Sequence, residues 1–309
     1  MNKYVKGLWH PIMVMRRLFM LTTKLWPDRF YLQVLHVFFY GKTMNLDNPQ
    51  SYSEKCNWLK LNYRMPLFTK LVDKYEVKGY VSERIGNEHV IPSLGVWDKF
   101  DDIDFDKLPN QFCLKCTHDS GSYVICKDKT NFDKSAAKKK LEKAQSRNFY
   151  WLFREWPYKN VPPRIIAEEY IPSLGHIDSI EYKITCCDGV VKVITVCGGV
   201  PHAEFSMRSN DNFSRNWERQ NWYAHYKPTG KEIEKPLFMD KLIEYSEKLS
   251  VGIPQVRVDW YVVDNNIYFG EFTFYTWGGY PVFSPKKWNY TLGSWINLPE
   301  KETGTDIKK

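Results

Sequence analysis

The sequence lacks an uninterrupted apolar run long enough to cross a membrane. Its N-terminal segment begins basic and then turns apolar, but Pro11 and the pair Arg16-Arg17 interrupt it well before the ~20 apolar residues of a spanning helix. An uninterrupted apolar region followed by a small-residue cleavage site is also missing, which argues against a secretory signal peptide. We therefore expect a cytoplasmic chain without transmembrane segments.

The N-terminal segment leaves one question of location open. Its basic residues are interleaved with large apolar ones, namely Trp9, Leu18, Phe19, Leu25 and Trp26. Such a segment either packs on its own domain or lies on a membrane surface. Self-packing is the favoured interpretation, and peripheral membrane contact is the alternative.

The cysteines are few and show no obvious pairing. Seven is an odd number in a chain too long for a small disulfide scaffold, so we expect free thiols in a reducing compartment. Cys113 and Cys116 have the spacing of metal ligands, but residues three apart on a strand point to opposite faces. We therefore expect no zinc site, and no cysteine has a convincing histidine partner for nucleophilic catalysis.

The composition describes a folded chain with a moderate excess of positive charge. Its 309 residues are 43% hydrophobic and include 12 Trp, 20 Tyr and 18 Phe, which suffices for two domains or one elaborated catalytic domain. The formal net charge of +8 suits phosphate-rich ligands or an anionic membrane surface. Charge alone does not indicate nucleic acid, and we expect no nucleic-acid partner.

The periodicity changes along the chain. Residues 1 to about 90 are predicted to be helical, with Ser51 and Glu54 in capping-box spacing. Short strands and turns follow, interrupted by one helix from Asp133 to Gln145, and strands dominate after Ile165. This order predicts an α+β protein.

A hairpin near the C-terminus carries the most informative pattern. If Asp264, Asn265 and Asn266 form its loop, Asp259 lies opposite Glu271 and Arg257 lies opposite Thr273. Directly opposed side chains have Cβ atoms only ~4.5–5.5 Å apart, so the two carboxylates would repel each other unless a cation lay between them.

Oxygen-only ligands favour a hard cation such as Mg²⁺, which proteins hold with one or two carboxylates plus water and substrate phosphates. Two alternatives stay open. In the first, the hairpin face is solvent-exposed and Arg257 merely neutralises the acids. In the second, a two-residue turn shifts the register and separates the two carboxylates.

A second feature is an apolar strand that carries Lys115 and enters a loop of small residues. Exposed N–H groups in such a loop attract anions, and a lysine at its base acts as a point charge on phosphate oxygens. The loop residues concerned are Ser120, Gly121 and Ser122. Because the spacing matches neither Walker A nor GxGxxG, an ordinary hairpin with a polar turn remains the alternative.

In chain order, these features resemble an ATP-grasp enzyme, specifically the TupA-like ATP-grasp group associated with cell-surface polysaccharide biosynthesis. The resemblance covers about residues 48–295. It implies an ATP-grasp fold with four parts: a helical N-terminal region (1–92), a small α+β lid subdomain (93–167), a larger mixed-sheet catalytic subdomain (168–299) and a polar tail (300–309).

The resemblance also implies roles for residues around the lid. The segment LVDKYEVKGYVSERIG is similar to the one that supplies an early nucleotide-binding lysine, so Lys74 is the candidate and Lys78 the less favoured one. Lys115 matches the lid's own lysine, and its small-residue loop matches the one that closes over the triphosphate. The strand RIIAEEYI resembles the hinge that contacts adenine, which implicates Glu168, Glu169, Tyr170 and Ile171.

The remaining implied residues lie further along the chain. The segment IDSIEYK is similar to the one that supplies a ribose-binding acid and a phosphate-binding lysine, which indicates Glu181, with Asp178 as its alternative, and Lys183. The C-terminal hairpin resembles the metal hairpin of the family, whose pattern is Arg-x-Asp followed by Glu-x-Asn. It gives catalytic Arg257 and the metal ligands Asp259, Glu271 and Thr273, with threonine in place of the usual asparagine.

The activity implied by the resemblance is that of a carboxylate–amine ligase using ATP and Mg²⁺, with Lys115 and Arg257 as catalytic residues. A carboxylate would be activated as an acyl phosphate and then attacked by an amine. Besides the nucleotide, the implied substrates are a sugar acid, an amino sugar or an amino acid. The alternative is a glycosyltransferase of capsule or exopolysaccharide synthesis, and a non-catalytic protein is supported only by the positive charge.

Overall fold

A computed structural model describes residues 11–172, 180–198 and 208–300. The helices are α1 Pro11–Leu21, α2 Asp28–Tyr40, α3 Tyr52–Asn62, α4 Pro66–Val72, α5 Glu76–Ile85, α6 Lys134–Gln145, α7 Tyr150–Phe153, α8 Met239–Ser250 and α9 Trp288–Ser294. The strands are β1 Ser93–Trp97, β2 Phe112–Cys116, β3 Tyr123–Cys126, β4 Ile165–Glu169, β5 Glu181–Cys187, β6 Val190–Gly198, β7 Ser209–Phe213, β8 Arg219–Gln220, β9 Tyr223–Ala224, β10 Val256–Val263, β11 Asn266–Thr273 and β12 Phe283–Ser284.

Two antiparallel sheets organise the fold. The first has the order β1-β4-β2-β3, and the second has the order β11-β10-β5-β6-β7-β8. The first sheet buries Leu114 and Ala167 against Ala137 and Leu141 of α6. The second sheet packs against α8, where the indole N–H of Trp260 donates a hydrogen bond to a helix hydroxyl 2.9 Å away. The predicted α+β class is confirmed.

Helix α3 begins at the residue that the sequence predicts. At the start of α3 the Ser51 hydroxyl accepts from the Glu54 amide at 3.3 Å, and the Glu54 carboxylate accepts from the Ser51 amide at 3.0 Å, so the capping box is confirmed. Helix α5 ends at Gly86, whose φ of 108° is a left-handed conformation that favours glycine. These helices share one apolar core with the second sheet.

Helix α1 packs only partly on the domain. Phe19 stacks on Tyr31 with ring centroids 5.2 Å apart. Ile12, Met15 and Leu18 are exposed on the same helix. Across the described ranges, no helix combines the length and the apolar character needed to traverse a bilayer. Contact of α1 with a membrane surface stays a prediction.

The C-terminal hairpin reaches the predicted register by a different route. The three-residue loop is wrong: Val263 pairs with Asn266, and the turn consists of Asp264 and Asn265, whose φ values of 49° and 63° suit a two-residue hairpin turn. That turn alone would shift the register. A β-bulge at Gly270 inserts one residue and restores it, because two residues of β11 then oppose one of β10.

Candidate active site

The bulge places the predicted carboxylates opposite each other on one polar face. Asp259 pairs with Glu271, and Arg257 pairs with Thr273. The face opposite α8 therefore carries two acids, a guanidinium and a hydroxyl, while the intervening Val258 is buried in the core. This alternation follows from the two-residue period of the strands.

The Asp259 carboxylate is hydrogen-bonded to two cations. Its carboxylate accepts two hydrogen bonds from Arg257, at 2.6 and 2.7 Å, and one from Lys183 at 3.2 Å. Asp259 is 4% exposed, and burial alone would raise its pKa, but the two cations outweigh burial and lower the pKa below its ordinary value. The same contacts raise the pKa of Lys183 despite its burial. Lys183 also lies 3.0 Å from Glu181.

Glu271 is the open carboxylate of the pair. Its side chain is 42% exposed, and its nearest polar contacts are long, 3.4 Å to the Thr273 hydroxyl and 4.0 Å to Arg257. Together with Asp259 these oxygens form a donor set suited to a hard divalent cation. The described residues contain no cluster of three acidic, histidine or cysteine side chains around one point. A cation here would therefore complete its coordination with water and substrate oxygens.

A second group of charges is formed by side chains of β2, β4 and α5. Glu168 on β4 is buried and contacts Lys115 on β2 and, at 2.7 Å, Lys78 on α5. Burial alone would raise the pKa of Glu168, but the two lysines lower it. At Lys115 the carboxylate outweighs burial and raises the lysine pKa, whereas burial prevails at Lys78 and lowers the pKa there. The structure thus groups the less favoured Lys78 with Lys115.

Lys74 is tied to the small-residue loop. Its amide donates to the Thr117 carbonyl at 3.0 Å, and its ammonium donates to the carbonyl of Asp119. Inside the loop the Ser122 hydroxyl bonds the Asp119 carboxylate, and Gly121 adopts a left-handed φ of 89°. The loop and the lysine at the start of α5 are therefore held together.

A cavity of about 530 Å³ lies on the hairpin side of the small-residue loop, and Lys74, Lys78, Lys115 and Glu168 are not among the residues that line it. Burial lowers the pKa of Lys74, and the charge of Glu271 is the largest influence that opposes this shift. The predicted residues that line the cavity are Ser120, Glu181, Lys183, Arg257, Glu271 and Thr273.

The hinge residues are distributed over both faces of β4. Glu168 faces the lysines, Glu169 is exposed, and Tyr170 and Ile171 are half-buried just beyond the strand. The alternative ribose acid, Asp178, lies outside the described residues. Contact of this segment with adenine stays a prediction.

The cavity also contains residues that the sequence did not indicate. Glu155, Arg208 and an aromatic wall line it, the wall comprising Phe39, Phe149, Phe153, Tyr158, Tyr226, Tyr275, Trp277 and Tyr280. No motif marks Glu155, which follows α7 in an irregular segment. One sequence signal for the aromatic wall was available. The run Trp277-Gly278-Gly279 lies shortly after β11, and paired glycines indicate a tight turn.

Three solved structures of ligases are similar to part of this chain. The chain is similar to an L-amino acid ligase from Bacillus licheniformis (14% identity, TM-score 0.47, covering 82% of this chain and 58% of that one). It is also similar to D-alanine–D-alanine ligases from Bacillus anthracis, complexed with ATP (18%, TM-score 0.38, 66% and 54%), and Helicobacter pylori (14%, TM-score 0.41, 72% and 59%). The chain thus spans little more than half the length of these proteins.

Sequence comparison gives the family. No curated protein sequence matches the chain significantly. The sequence profile of the family described as TupA-like ATPgrasp matches residues 54–297, which is most of the chain and includes both groups of charges. The protein therefore belongs to the TupA-like ATP-grasp family and has an α+β ATP-grasp fold.

Proposed function

We propose that this protein is an ATP-dependent carboxylate–amine ligase acting in cell-surface polysaccharide biosynthesis. The observation that carries the proposal is one cavity lined both by Ser120 of the small-residue loop and by Lys183, Arg257, Glu271 and Thr273 of the second sheet. The lysines of α5 and the first sheet, Lys78 and Lys115, pair with Glu168 on the strand that precedes this sheet. We assign the first sheet and α6 to the lid and the second sheet to the catalytic subdomain. The polysaccharide setting rests on the family association.

The lysines are arranged to bind phosphates. Lys74, Lys78 and Lys115 present ammonium groups on the lid side, where each acts as a point charge on phosphate oxygens. The Ser120–Ser122 loop supplies backbone N–H groups beside them. Glu271 and Asp259, with the Thr273 hydroxyl, would hold Mg²⁺, which neutralises phosphate charge when bound.

The reaction proceeds in two displacements. A carboxylate oxygen of the substrate attacks the γ-phosphorus of ATP, and ADP leaves as the acyl phosphate forms. The amine substrate first loses the proton that it carries as an ammonium. Its nitrogen then attacks the acyl carbon, phosphate leaves, and a second proton is released as the amide forms. Arg257 is held rigidly by Asp259 and faces the cavity, so its guanidinium can stabilise the oxyanion of the second step.

We propose a sugar acid, amino sugar or amino acid for the substrates. The alternative predicted from the sequence, a glycosyltransferase, would bind a nucleotide sugar in preference to ATP. Thermal-shift titrations of ATP, ADP and nucleotide sugars with and without Mg²⁺ separate the two, because a ligand that binds only the folded chain raises its melting temperature.

Lys115→Ala tests the nucleotide site directly. We expect its ATP affinity to fall tenfold or more, because a hydrogen bond to a charged group contributes roughly 1.5–3 kcal/mol. Lys139→Ala is the matched control, since Lys139 is exposed on α6. Equal ATP affinity in the two variants, or tighter binding of a nucleotide sugar than of ATP by the wild-type protein, would overturn the assignment.

A further inference from the structure

Glu155 is a buried acid whose side chain has no hydrogen-bond or ion-pair partner in the part of the chain that the structure describes. It is 6% exposed and lines the cavity. Among the described residues its side chain makes no hydrogen bond and no ion pair within 4.0 Å. A buried acid without such partners is costly to ionise, so its position in the wall of a cavity requires an explanation.

The cation with the largest effect on Glu155 is Lys60, whose charge favours the ionised acid but which makes no hydrogen bond or ion pair with it. Lys60 is fully buried, but its ammonium donates to neutral acceptors: Asn57 Oδ1 at 3.0 Å, the Phe153 carbonyl at 3.0 Å and the Gly278 carbonyl at 2.5 Å. A lysine has three donors, so these bonds use all of them. Lys60 thus fixes neighbouring backbone and donates no hydrogen bond to the Glu155 carboxylate, although its charge still acts on that group.

The backbone around Glu155 directs it into the cavity. Arg154 has a left-handed φ of 55°, and its guanidinium turns the other way, to Asp28 at 2.8 Å and to the Thr23 hydroxyl at 2.6 Å. Non-glycine residues adopt this conformation only when their surroundings impose it. The reversal at Arg154 separates the two consecutive side chains.

An aromatic wall stands beside the carboxylate. Trp277, Gly278 and Gly279 are three consecutive left-handed residues, with φ values of 55°, 62° and 78°. Lys60 holds the Gly278 carbonyl, and the Ser53 hydroxyl holds the Gly279 carbonyl at 2.7 Å. The turn presents the Trp277 ring to the cavity. Such strain, imposed by buried hydrogen bonds, is typical of binding sites.

We propose that the amine substrate is a ring compound and that Glu155 and this aromatic wall bind its ammonium group. A carboxylate next to aromatic faces matches a cation with an apolar body, because ring faces attract cations and the acid supplies the counter-charge. Arg257 and Glu271 line the same cavity, so an amine here lies beside the acyl-transfer centre. The inference rests on the ligase function and identifies where its second substrate binds.

The test compares two ring compounds that differ only in charge. We would measure the dissociation constants of cyclohexylammonium and cyclohexanol with MgADP present. We expect the wild-type protein to bind the ammonium at least tenfold more tightly, and Glu155→Gln to lose that preference. Glu244→Gln should keep it, because Glu244 is exposed on α8, behind the opposite face of the second sheet.

Two further measurements keep the result unambiguous. ATP affinity should be unchanged in Glu155→Gln, so that loss of the amine site is distinguishable from failure of the ligase assignment. Glu155→Asp retains the charge at a shorter reach and should show a reduced preference, and it replaces Glu155→Gln if that variant does not fold. A wild-type protein without preference for the ammonium, or a preference that survives both substitutions, overturns the proposal.

Discussion

The bulge at Gly270 sets the register of the acidic hairpin, and Gly270→Ala tests it. A Cβ at this position would lie 2.9 Å from the Asp259 carbonyl oxygen and 3.0 Å from Cε2 of Tyr261. Backbone atoms cannot rotate away, so β10 or β11 must shift. Forcing extra atoms into a packed site typically costs about 1–3 kcal/mol. We expect the free energy of unfolding to fall by that amount in denaturant titrations, and Mg²⁺-dependent ATP affinity to fall with it.

Gly79→Ala is the matched control. Gly79 lies inside α5, is exposed, and has nothing within 4 Å of an added Cβ. Alanine in a helix interior is more favourable than glycine by roughly 0.5–1 kcal/mol, so this variant should be more stable than the wild-type protein. The two alanine substitutions should therefore change stability in opposite directions. A Gly270→Ala protein as stable as the control, with wild-type ATP affinity, would refute the role assigned to the bulge.

The opposed carboxylates should respond differently to neutralisation. Glu271→Gln should change the free energy of unfolding by less than about 0.5 kcal/mol. Asp259→Asn should lower it by roughly 3–5 kcal/mol, because Arg257 loses the buried carboxylate that holds it and Lys183 keeps only Glu181. Both should abolish Mg²⁺-dependent ATP turnover, and equal stability of the two would contradict the contacts described. Glu155→Gln should become more stable than the wild-type protein as pH rises from about 4.5 to 7. Burial raises the pKa of Glu155 to about 7, although the charges of Lys60 and Arg257 act in the opposite direction. The charge of Glu271 adds to the effect of burial. Folding therefore disfavours ionisation of Glu155 by up to roughly 3 kcal/mol. If denaturant titrations gave the same stability difference between Glu155→Gln and the wild-type protein at every pH, the raised pKa of Glu155 would be contradicted.

The polar face of the hairpin was predictable because it depends on local periodicity. Residues two apart share a face, which places Arg257 with Asp259 and Glu271 with Thr273 whatever the loop does. The loop itself was mispredicted, since both Asp264 and Asn265 tolerate left-handed conformations and a two-residue turn suits the strand twist. Gly270 was the sequence signal for the bulge, because glycine within a strand often marks one.

The environment of Glu155 was not predictable in the same way. It depends on the reversal at Arg154 and on the fit of Lys60 beneath residues 278 and 279, which are far from α3 in the sequence. The different partners of Lys74 and Lys78 were not predictable for a related reason. Spacing alone could not show that a turn of α5 brings Lys78 to Glu168, while Lys74 reaches the small-residue loop.

The distribution of charge across the cavity indicates how a magnesium–nucleotide complex would be oriented. The side formed by α5, the first sheet and the small-residue loop has a net positive charge, with Lys74, Lys78 and Lys115 against Glu168 and Asp119. The hairpin side has a net negative charge, with Arg257 and Lys183 against Asp259, Glu181 and Glu271. Burial strengthens both fields, since buried charges are screened less than exposed ones. Phosphates are thus drawn toward the lysines and the divalent cation toward Glu271, the one hairpin acid whose oxygens are not already held by a close cation.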